Sequence, residues 1–413
     1  MEIKEISKTE FDNFSKNHIQ NSYFQTSNYA TLMNNYKYDI MYVGGYHNNE
    51  LLCASLILYK SIAPTIKYGY APRGFILDYF DKDLLESFTK KVKVFFAKKN
   101  FAFIKINPEI IYSKINIKDK KKAVNSQSKE LVTCMRNLDY EKLRNNLYFE
   151  SMLPKYNAII NLKEFNKSNV SKKCYVKSHS IINSSLKLKK GTLKDMKVFY
   201  EFIKEKSNKT LNYFEDFYKV FNNDDDMIDL LLIEINYYKY LEIFNNKYER
   251  LSDEYEEVCD EFKKNPYDND LYLKKSDLDK KINELEKKIN IVNTKLQEGT
   301  KKEIIGGALV IKSKNKTTLV ISGIDKKFPN LNYKYFLYYN MIGFYKKLGY
   351  KFFDLNGITG NFTDNNPYKK LNDFKLSFNP LVYEYIGEFD LVINNTYYNI
   401  LWNSGKLRKE FIH

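Results

Sequence analysis

The sequence predicts an α/β (α+β) protein of two similar units, with a helical hairpin inserted into the second. Three observations predict it: a length of 413 residues, a strand–strand–helix–strand block that occurs twice, and a pair of helical runs between the two copies. A chain of this length exceeds what one ordinary core needs, which favours two domains or one domain with a large insertion. A hydrophobic share of 43% is enough to build such cores and excludes a disordered chain.

The repeated block keeps its order and nearly its spacing. The early copy reads LLCASLILYKS, IKYGYAPRG, the helical DLLESFTKKVKVFFAKKN and FAFIKINP, and the late copy reads IIGGALVIKS, TTLVISGID, YKYFLYYNMIGFYKKLG and YKFFDLNG. Ala54 matches Ala308, and Asn107 matches Asn356. We therefore predict a first domain over 1–150 and a second domain over 151–239 and 302–413.

The insertion over 240–301 has the periodicity of a coiled coil. Apolar residues recur at alternating spacings of four and three on both sides of a connector that contains Pro266: Phe244, Tyr248, Leu251, Tyr255, Val258 and Phe262, then Leu278, Ile282, Leu285, Ile289, Val292 and Leu296. This pattern predicts two helices packed as an antiparallel coiled-coil hairpin. It predicts structure and says nothing about chemistry.

The net charge of +16 is unevenly distributed. Residues 241–300 carry a net charge of −4, which leaves +20 on the rest of the chain, and the segment 163–194 alone carries +8. Only five of the 67 cations are arginines, so 62 are lysines. Two interpretations remain open: the codon bias of an AT-rich genome, or a surface that binds a polyanion.

Several classes of protein are disfavoured. The four cysteines and four histidines show no metal-ligand or disulfide spacing, which favours a reducing cytoplasm and no metal. No apolar stretch approaches the roughly 20 residues of a membrane span. The N-terminal MEIKEISKTEF lacks the apolar region of a secretion signal.

A set of ordered motifs resembles the FemABX family, the non-ribosomal peptidyltransferases of cell-wall bridge synthesis. The motifs are FQTSNYATL, YGYAPRGFILDYFD and FIKINP, followed by GGALVI, YNMIGFYKKLGYKFFDLNGITGNFTDNN, DFKLSFNP and YEYIGEFDLVIN. With the hairpin at the family's usual place, the resemblance covers nearly the whole chain.

The resemblance implies two tandem GNAT-like (acetyltransferase-like) domains and an aminoacyltransferase. The enzyme would take glycine, alanine or serine from aminoacyl-tRNA and add it to the stem peptide or bridge of a lipid-linked peptidoglycan precursor. It would work in the cytoplasm, peripheral to the inner face of the membrane, as a homodimer or with a related transferase. No cofactor is expected, because an aminoacyl ester is already activated.

Lys375 and Phe374, in the string DFKL, match the family's catalytic position. A fixed cation near the tRNA terminus would stabilise charge on the carbonyl and on the leaving ribose oxygen. Phe374 would pack beside the site and fix the register of a strand. In a lysine-rich chain, a solvated strand lysine and a core phenylalanine are the alternatives.

The substrate-binding candidates are Arg73, Tyr70, Asn107 and Glu388. Arg73 lies in a Pro-Arg-Gly turn and suits bidentate recognition of an anion, or a structural ion pair with Asp78. Asn107 stands where the family more often has aspartate, and an amide accepts no proton near neutral pH. Proton uptake would then pass to water, to the substrate, or to a carboxylate such as Glu388.

Lys177 is the nearest match to a phosphate-binding arginine of the family, in a stretch that here contains only lysines. The family's lysine after its F-x-Q-[ST] element is replaced near Met33. These departures leave a second function open, a non-catalytic homologue that binds tRNA or precursor. An acyl-CoA-dependent N-acyltransferase is the third, although the glycine-rich phosphate loop it needs is not evident.

Overall fold

The computed structural model describes residues 1–143, 147–149, 152–223, 226–327 and 331–404. The domain boundary predicted near residue 150 lies outside these residues. The first part of the chain contains eight strands and four helices: β1 (Glu2–Glu5), α1 (Lys8–Asn17), α2 (Ser27–Asn35), β2 (Asp39–His47), β3 (Glu50–Ala63), β4 (Ile66–Ala71), α3 (Lys82–Ala97), β5 (Phe101–Ile106), β6 (Ile111–Asn116), β7 (Lys121–Val124), α4 (Ser126–Asn137) and β8 (Tyr140–Lys142).

The middle part leads into the hairpin. Its elements are β9 (Tyr156–Asn161), α5 (Lys172–Ser178), β10 (Leu186–Lys190), α6 (Met196–Ile203), α7 (Leu211–Asn222), β11 (Ile228–Asn236), α8 (Tyr237–Lys264) and α9 (Asn269–Gln297). Short 3-10 turns occupy Tyr23–Gln25, Ile181–Ser185 and Leu193–Asp195. The last part contains β12 (Lys302–Lys312), β13 (Lys316–Ile324), α10 (Leu331–Lys347), β14 (Phe352–Gly357), α11 (Lys369–Leu376), β15 (Leu381–Tyr385), β16 (Phe389–Val392) and α12 (Asn395–Asn403).

Two mixed sheets organise the molecule. The first has the order β1-β2-β3-β4-β5-β16-β8, and the second has the order β10-β11-β12-β13-β14-β9-β15-β6-β7. Each contains one parallel pair, β4 with β5 and β13 with β14, reached through a helix in the same position. The predicted repeat is therefore present as two equivalent strand–strand–helix–strand arrangements.

The two sheets exchange strands. β16, from the C-terminal part, pairs with β5, and β6, from the N-terminal part, pairs with β15. A third hydrophobic core also joins the units, because side chains such as Phe11 and Leu56 pack in one cluster with Phe199 and Leu309. Residues of both units can therefore meet at one site.

The predicted hairpin is confirmed as α8 and α9. Asn236 and Asp268 cap the two helices, and their side chains accept hydrogen bonds from backbone N–H groups of the first turns. The buried seam is continuous with the core of the second unit, where the Tyr240 and Tyr333 hydroxyls lie 2.7 Å apart.

Strands β13 and β14 separate at the centre of the second sheet. Their ladder pairs Lys316–Thr318 with Phe352–Asp354, and the later residues of both strands lie outside it. Asn356 has a left-handed backbone (φ 65°), and its Nδ2 donates to the Leu319 carbonyl oxygen at 3.0 Å. This separation opens the sheet beside the first unit.

Candidate functional site

Four of the predicted residues meet at the ends of β4 and β5. Because these strands are parallel, their carboxyl ends share one edge of the sheet. The Arg73 backbone N–H donates to Asn107 Oδ1 at 2.8 Å, and Asn107 Nδ2 donates to the Tyr70 hydroxyl at 3.0 Å. The same Nδ2 faces Glu388 Oε1 at 3.4 Å. Tyr70, Arg73, Asn107 and Glu388 thus form one cluster, which we call the strand-end cluster.

Glu388 reaches this cluster through the strand exchange. It precedes β16, whose first residue Phe389 pairs with Ile106, and this register places Glu388 beside Asn107. Its carboxylate also accepts a hydrogen bond from the Met152 backbone N–H at 2.7 Å. Burial raises the pKa of Glu388 above its usual value, although Lys105 and these hydrogen bonds oppose the shift. A carboxylate of raised basicity therefore lies where the family's aspartate is missing.

The Arg73 guanidinium is compensated inside the protein. Arg73 is 4% exposed, and it pairs with Glu109 (Nε to Oε1, 3.5 Å) rather than with Asp78. Its Nη2 donates to the Pro154 carbonyl oxygen at 3.1 Å, and its Cζ lies 4.9 Å from the centre of the Tyr385 ring. This arginine therefore connects the first unit to the second.

Glu109 continues the connection to a buried carboxylate of the second unit. Lys316 Nζ donates to Glu109 Oε2 at 2.8 Å, and Asp354 accepts from Asn157 Nδ2 at 3.2 and 3.0 Å. Although burial alone would raise it, Lys316 and Arg73 lower the pKa of Glu109. Burial raises the pKa of Asp354.

A cavity of about 200 Å³ lies between these groups, and both units line it. Sequence reasoning missed Glu109, Lys316, Asp354 and Asn157. One signal was available, because an aspartate between Phe353 and Leu355 in an apolar strand needs a buried polar partner.

Lys375 lies in α11, so the expected strand at this position is wrong. It is 7% exposed, and its Nζ donates to the Gly357 carbonyl oxygen at 2.6 Å. Among the described residues it forms no ion pair with a carboxylate. Burial lowers the pKa of Lys375 to about 7; Asp354 opposes this shift, and Lys334 adds to it. The result is a buried ammonium group without a compensating anion beside it.

Phe374 packs in an aromatic cluster that carries a second lysine. Its ring centre lies 5.0 Å from that of Tyr335 and 4.8 Å from that of Tyr338. Lys334 Nζ lies 4.1 Å from the centre of the Phe374 ring, within cation–π distance. Burial lowers the pKa of Lys334 to about 8, and Lys206 adds to the shift. Sequence reasoning missed Lys334, which lies in an otherwise aromatic stretch of α10.

Lys177 lies on the Lys375 side of the molecule. It is half-buried in α5, and its Nζ lies 5.5 Å from the centre of the Tyr335 ring, which contacts Phe374. The neighbouring Lys172 and Lys173 are exposed. We call Lys177, Lys334 and Lys375 the lysine cluster.

Pro154 joins the lysine cluster to the strand-end cluster. Its carbonyl oxygen accepts from Arg73, and its ring lies against Gly357, where an added Cβ would come within 2.7 Å of Pro154 Cγ. The Gly357 carbonyl in turn accepts from Lys375. Lys375 is therefore linked to Glu388 by a chain of contacts through Gly357, Pro154, Arg73 and Asn107.

In the described part of the chain, no group of three or more His, Cys, Asp or Glu side chains could hold a metal ion. None of the described helices combines the length and apolar character needed to cross a membrane.

Comparison with known proteins identifies relatives over the whole chain. Residues 6–402 match the FemAB family. Aminoacyltransferase FemA of Staphylococcus epidermidis is 23% identical over 372 residues, which are 88% of this chain and 89% of that protein. Aminoacyltransferase FemA of Staphylococcus aureus is 21% identical over 409 residues, 96% of this chain and 97% of that protein.

A solved structure shows the same fold. The crystal structure of FemX superposes with a TM-score of 0.72 at 17% identity, and the match covers 97% of this chain and all of that one. The resemblance inferred from the ordered motifs is confirmed by the family match. The chain belongs to the FemAB family.

Proposed function

We propose that this protein is an aminoacyltransferase that adds an amino acid from aminoacyl-tRNA to the stem peptide or bridge of a lipid-linked peptidoglycan precursor. The relatives named aminoacyltransferase FemA support the reaction class. The single observation that carries the proposal is Lys375, a buried lysine that forms no ion pair among the described residues and donates to the Gly357 carbonyl oxygen.

The reaction assigns separate tasks to the two clusters. The acceptor amine attacks the ester carbonyl, a new C–N bond forms, and the C–O bond to the ribose breaks. Lys375 stabilises the developing negative charge on the ribose oxygen and can donate a proton to it, since its pKa is about 7.

Glu388 receives the proton that the amine loses. Its pKa is raised by burial, and Asn107 and Met152 hold its carboxylate in place. Tyr70 and Asn107 then position the amine, so an asparagine at this position is compatible with transfer. No cofactor or metal enters the scheme, because the ester supplies the driving force.

Binding of tRNA is supported by the distribution of positive charge. Lys334 lies over Phe374, the neighbour of Lys375, and Lys177 lies over Tyr335, which contacts Phe374. Helix α5, which carries Lys177, belongs to the segment 163–194 with its net charge of +8. Phosphate groups are attracted by such a surface, and counterion release makes that attraction depend on salt. The positions of Gly306 and Gly307 inside β12, rather than before a helix, disfavour a CoA site.

The acceptor places the enzyme at the inner face of the membrane. A lipid-linked precursor keeps its headgroup at the membrane surface, so we propose that the protein associates peripherally with the membrane. We also propose that it pairs with a second copy of itself or with a related transferase. The hairpin is available for such contacts, because it carries exposed apolar side chains such as Tyr267, Tyr272 and Leu273.

The direct experiment combines the full-length protein, lipid-linked precursor and tRNA charged with glycine, alanine or serine. The expected result is a new amide, detected as a mass increase of one amino-acid residue on the precursor. The Lys375→Met variant is expected to form little product, and Lys369→Met, an exposed lysine of the same helix, should match the wild type. Failure of the folded wild type with all three amino acids would refute the proposal.

A further inference from the structure

Two buried polar atoms that line the inter-domain cavity form no hydrogen bond within the described residues. Arg73 Nε is a donor that faces Glu109 Oε1 in the long ion pair of 3.5 Å, and Asn157 Oδ1 is an acceptor; these residues are 4% and 3% exposed. Buried polar groups in proteins are normally hydrogen-bonded, so these two atoms have capacity for a ligand in the cavity.

The charges around the cavity define what that partner offers. Asp354 lies beside Asn157, and it accepts hydrogen bonds from Asn157 Nδ2 and from the Asn356 backbone N–H at 2.7 Å. Glu109, by contrast, is already paired with Arg73 and Lys316. The carboxylate available to an incoming cation is therefore Asp354, next to the unpaired acceptor.

A ligand with an ammonium group and a carbonyl oxygen matches both the acidic side of the cavity and the Arg73 donor. The ammonium would bind Asp354 and Asn157 Oδ1, and the carbonyl oxygen would accept from Arg73 Nε. An α-aminoacyl group carries these two functions on adjacent carbons. A volume of about 200 Å³ is many times the roughly 10–15 Å³ that one water needs in such a cavity, so a small amino acid fits.

We propose that this cavity is the pocket for the donated amino acid, with Asp354 and Asn157 as the ammonium site and Arg73 as the carbonyl donor. This inference rests on the proposed function, because it assigns the pocket to the aminoacyl end of the donor. Asn356 lines the cavity, and the carbonyl of the next residue, Gly357, accepts from Lys375, so the pocket lies beside the cation that would stabilise the leaving oxygen. The cavity limits the size of the transferred residue.

Amino-acid amides test the pocket without the transfer reaction. The probes are glycinamide, alaninamide and tryptophanamide, which carry the ammonium and carbonyl groups but differ in size. Calorimetry with the full-length protein is expected to show saturable binding of the two small amides and at least tenfold weaker binding of tryptophanamide. No binding of the small amides, or equal binding of all three, would overturn the proposal.

A variant separates the ammonium site from general effects. Asp354→Asn keeps the shape of the side chain and is expected to weaken the binding of alaninamide at least tenfold. Asp364→Asn, which changes an exposed carboxylate, is expected to leave that affinity unchanged. Unchanged binding in Asp354→Asn would refute the assignment. If that variant does not fold, the size series on the wild type still decides.

The outcome is distinguishable from failure of the proposed function. Equal transfer from tRNAs that carry small and large amino acids would refute the pocket and support the proposed transferase function. Binding of the small amides without any transfer would support the pocket and refute the proposed function.

Discussion

The two repeated units use their cations in opposite ways. Arg73, at the end of β4, is held by Glu109, Pro154 and Tyr385, so its charge is neutralised within the protein. In the second unit, the buried Lys375 donates to a carbonyl oxygen, the half-buried Lys334 lies over an aromatic ring, and neither forms an ion pair among the described residues. One fold, used twice, therefore provides a structural cation in one unit and an available cation in the other.

Removal of Arg73 should have the largest effect on stability. Arg73→Met leaves the Pro154 carbonyl and one side of Glu109 without their partner, and breaking a buried ion pair costs about 3–5 kcal/mol. The free energy of unfolding from urea titration should fall by that amount. The matched control is Lys60→Met, which removes a half-buried cation that lies over the Tyr38 ring. Equal stability of Arg73→Met and wild type would show that Arg73 is not structural.

Replacement of Lys375 should raise the free energy of unfolding at low pH, whereas replacement of Arg73 lowers it. Its pKa falls from 10.5 in the unfolded chain to about 7 in the folded protein, so the unfolded state binds more protons between these values. Wild-type stability therefore increases as the pH rises from about 7 to 10.5. Lys375→Met lacks this dependence and should be more stable than wild type below pH 7, with an advantage that shrinks towards pH 10.

Urea titrations at pH 6, 8 and 10 measure that difference. Lys369→Met, in the same helix, serves as the control and should show no comparable pH dependence. A stability difference for Lys375→Met that stays constant with pH would mean that the buried charge is compensated by a group that we have not identified.

These contrasts could be predicted from sequence only in part. The repeat order and the hairpin followed from periodicity, which depends on neighbouring residues. The Lys375 position followed from a motif, but its helix did not, because DFKL is too short for periodicity to separate helix from strand. The Arg73–Glu109–Lys316 connection was out of reach, because Lys316 lies 207 residues from Glu109 and the strand exchange that brings the units together leaves no local pattern.

Variants of Lys334 test whether the cations of the second unit bind the phosphate groups of RNA. Lys334→Gln should weaken binding of a short RNA hairpin that carries the tRNA acceptor end by roughly three- to tenfold, and should reduce the slope of log affinity against log salt by about one. Fluorescence anisotropy over a salt series measures both quantities. Lys334→Arg should restore the affinity, and Lys326→Gln, which removes an exposed lysine paired with Glu205, should change little. An unchanged salt slope in Lys334→Gln would exclude a phosphate contact there.

Deletion of the distal part of the hairpin should have the smallest effect on stability. Tyr248 donates to Glu286 Oε1 at 3.0 Å, so the two helices lie side by side there and a short linker can replace residues 249–285. The body keeps Tyr240, Phe244 and Val292, and its thermal midpoint should stay within roughly 4 °C of the wild type. Global unfolding of this deletion, measured by circular dichroism, would instead make the hairpin part of the folding unit.

The role of Lys375 in the transfer step can be separated from tRNA binding. The decisive measurement is single-turnover transfer by Lys375→Met, compared with the affinity of the same variant for the RNA hairpin. Loss of a preorganised group that stabilises charge in the transition state costs about 100- to 1,000-fold in rate. We therefore predict a rate at least 100-fold below wild type, with the RNA affinity changed less than threefold. A variant that transfers within threefold of the wild-type rate would contradict the account.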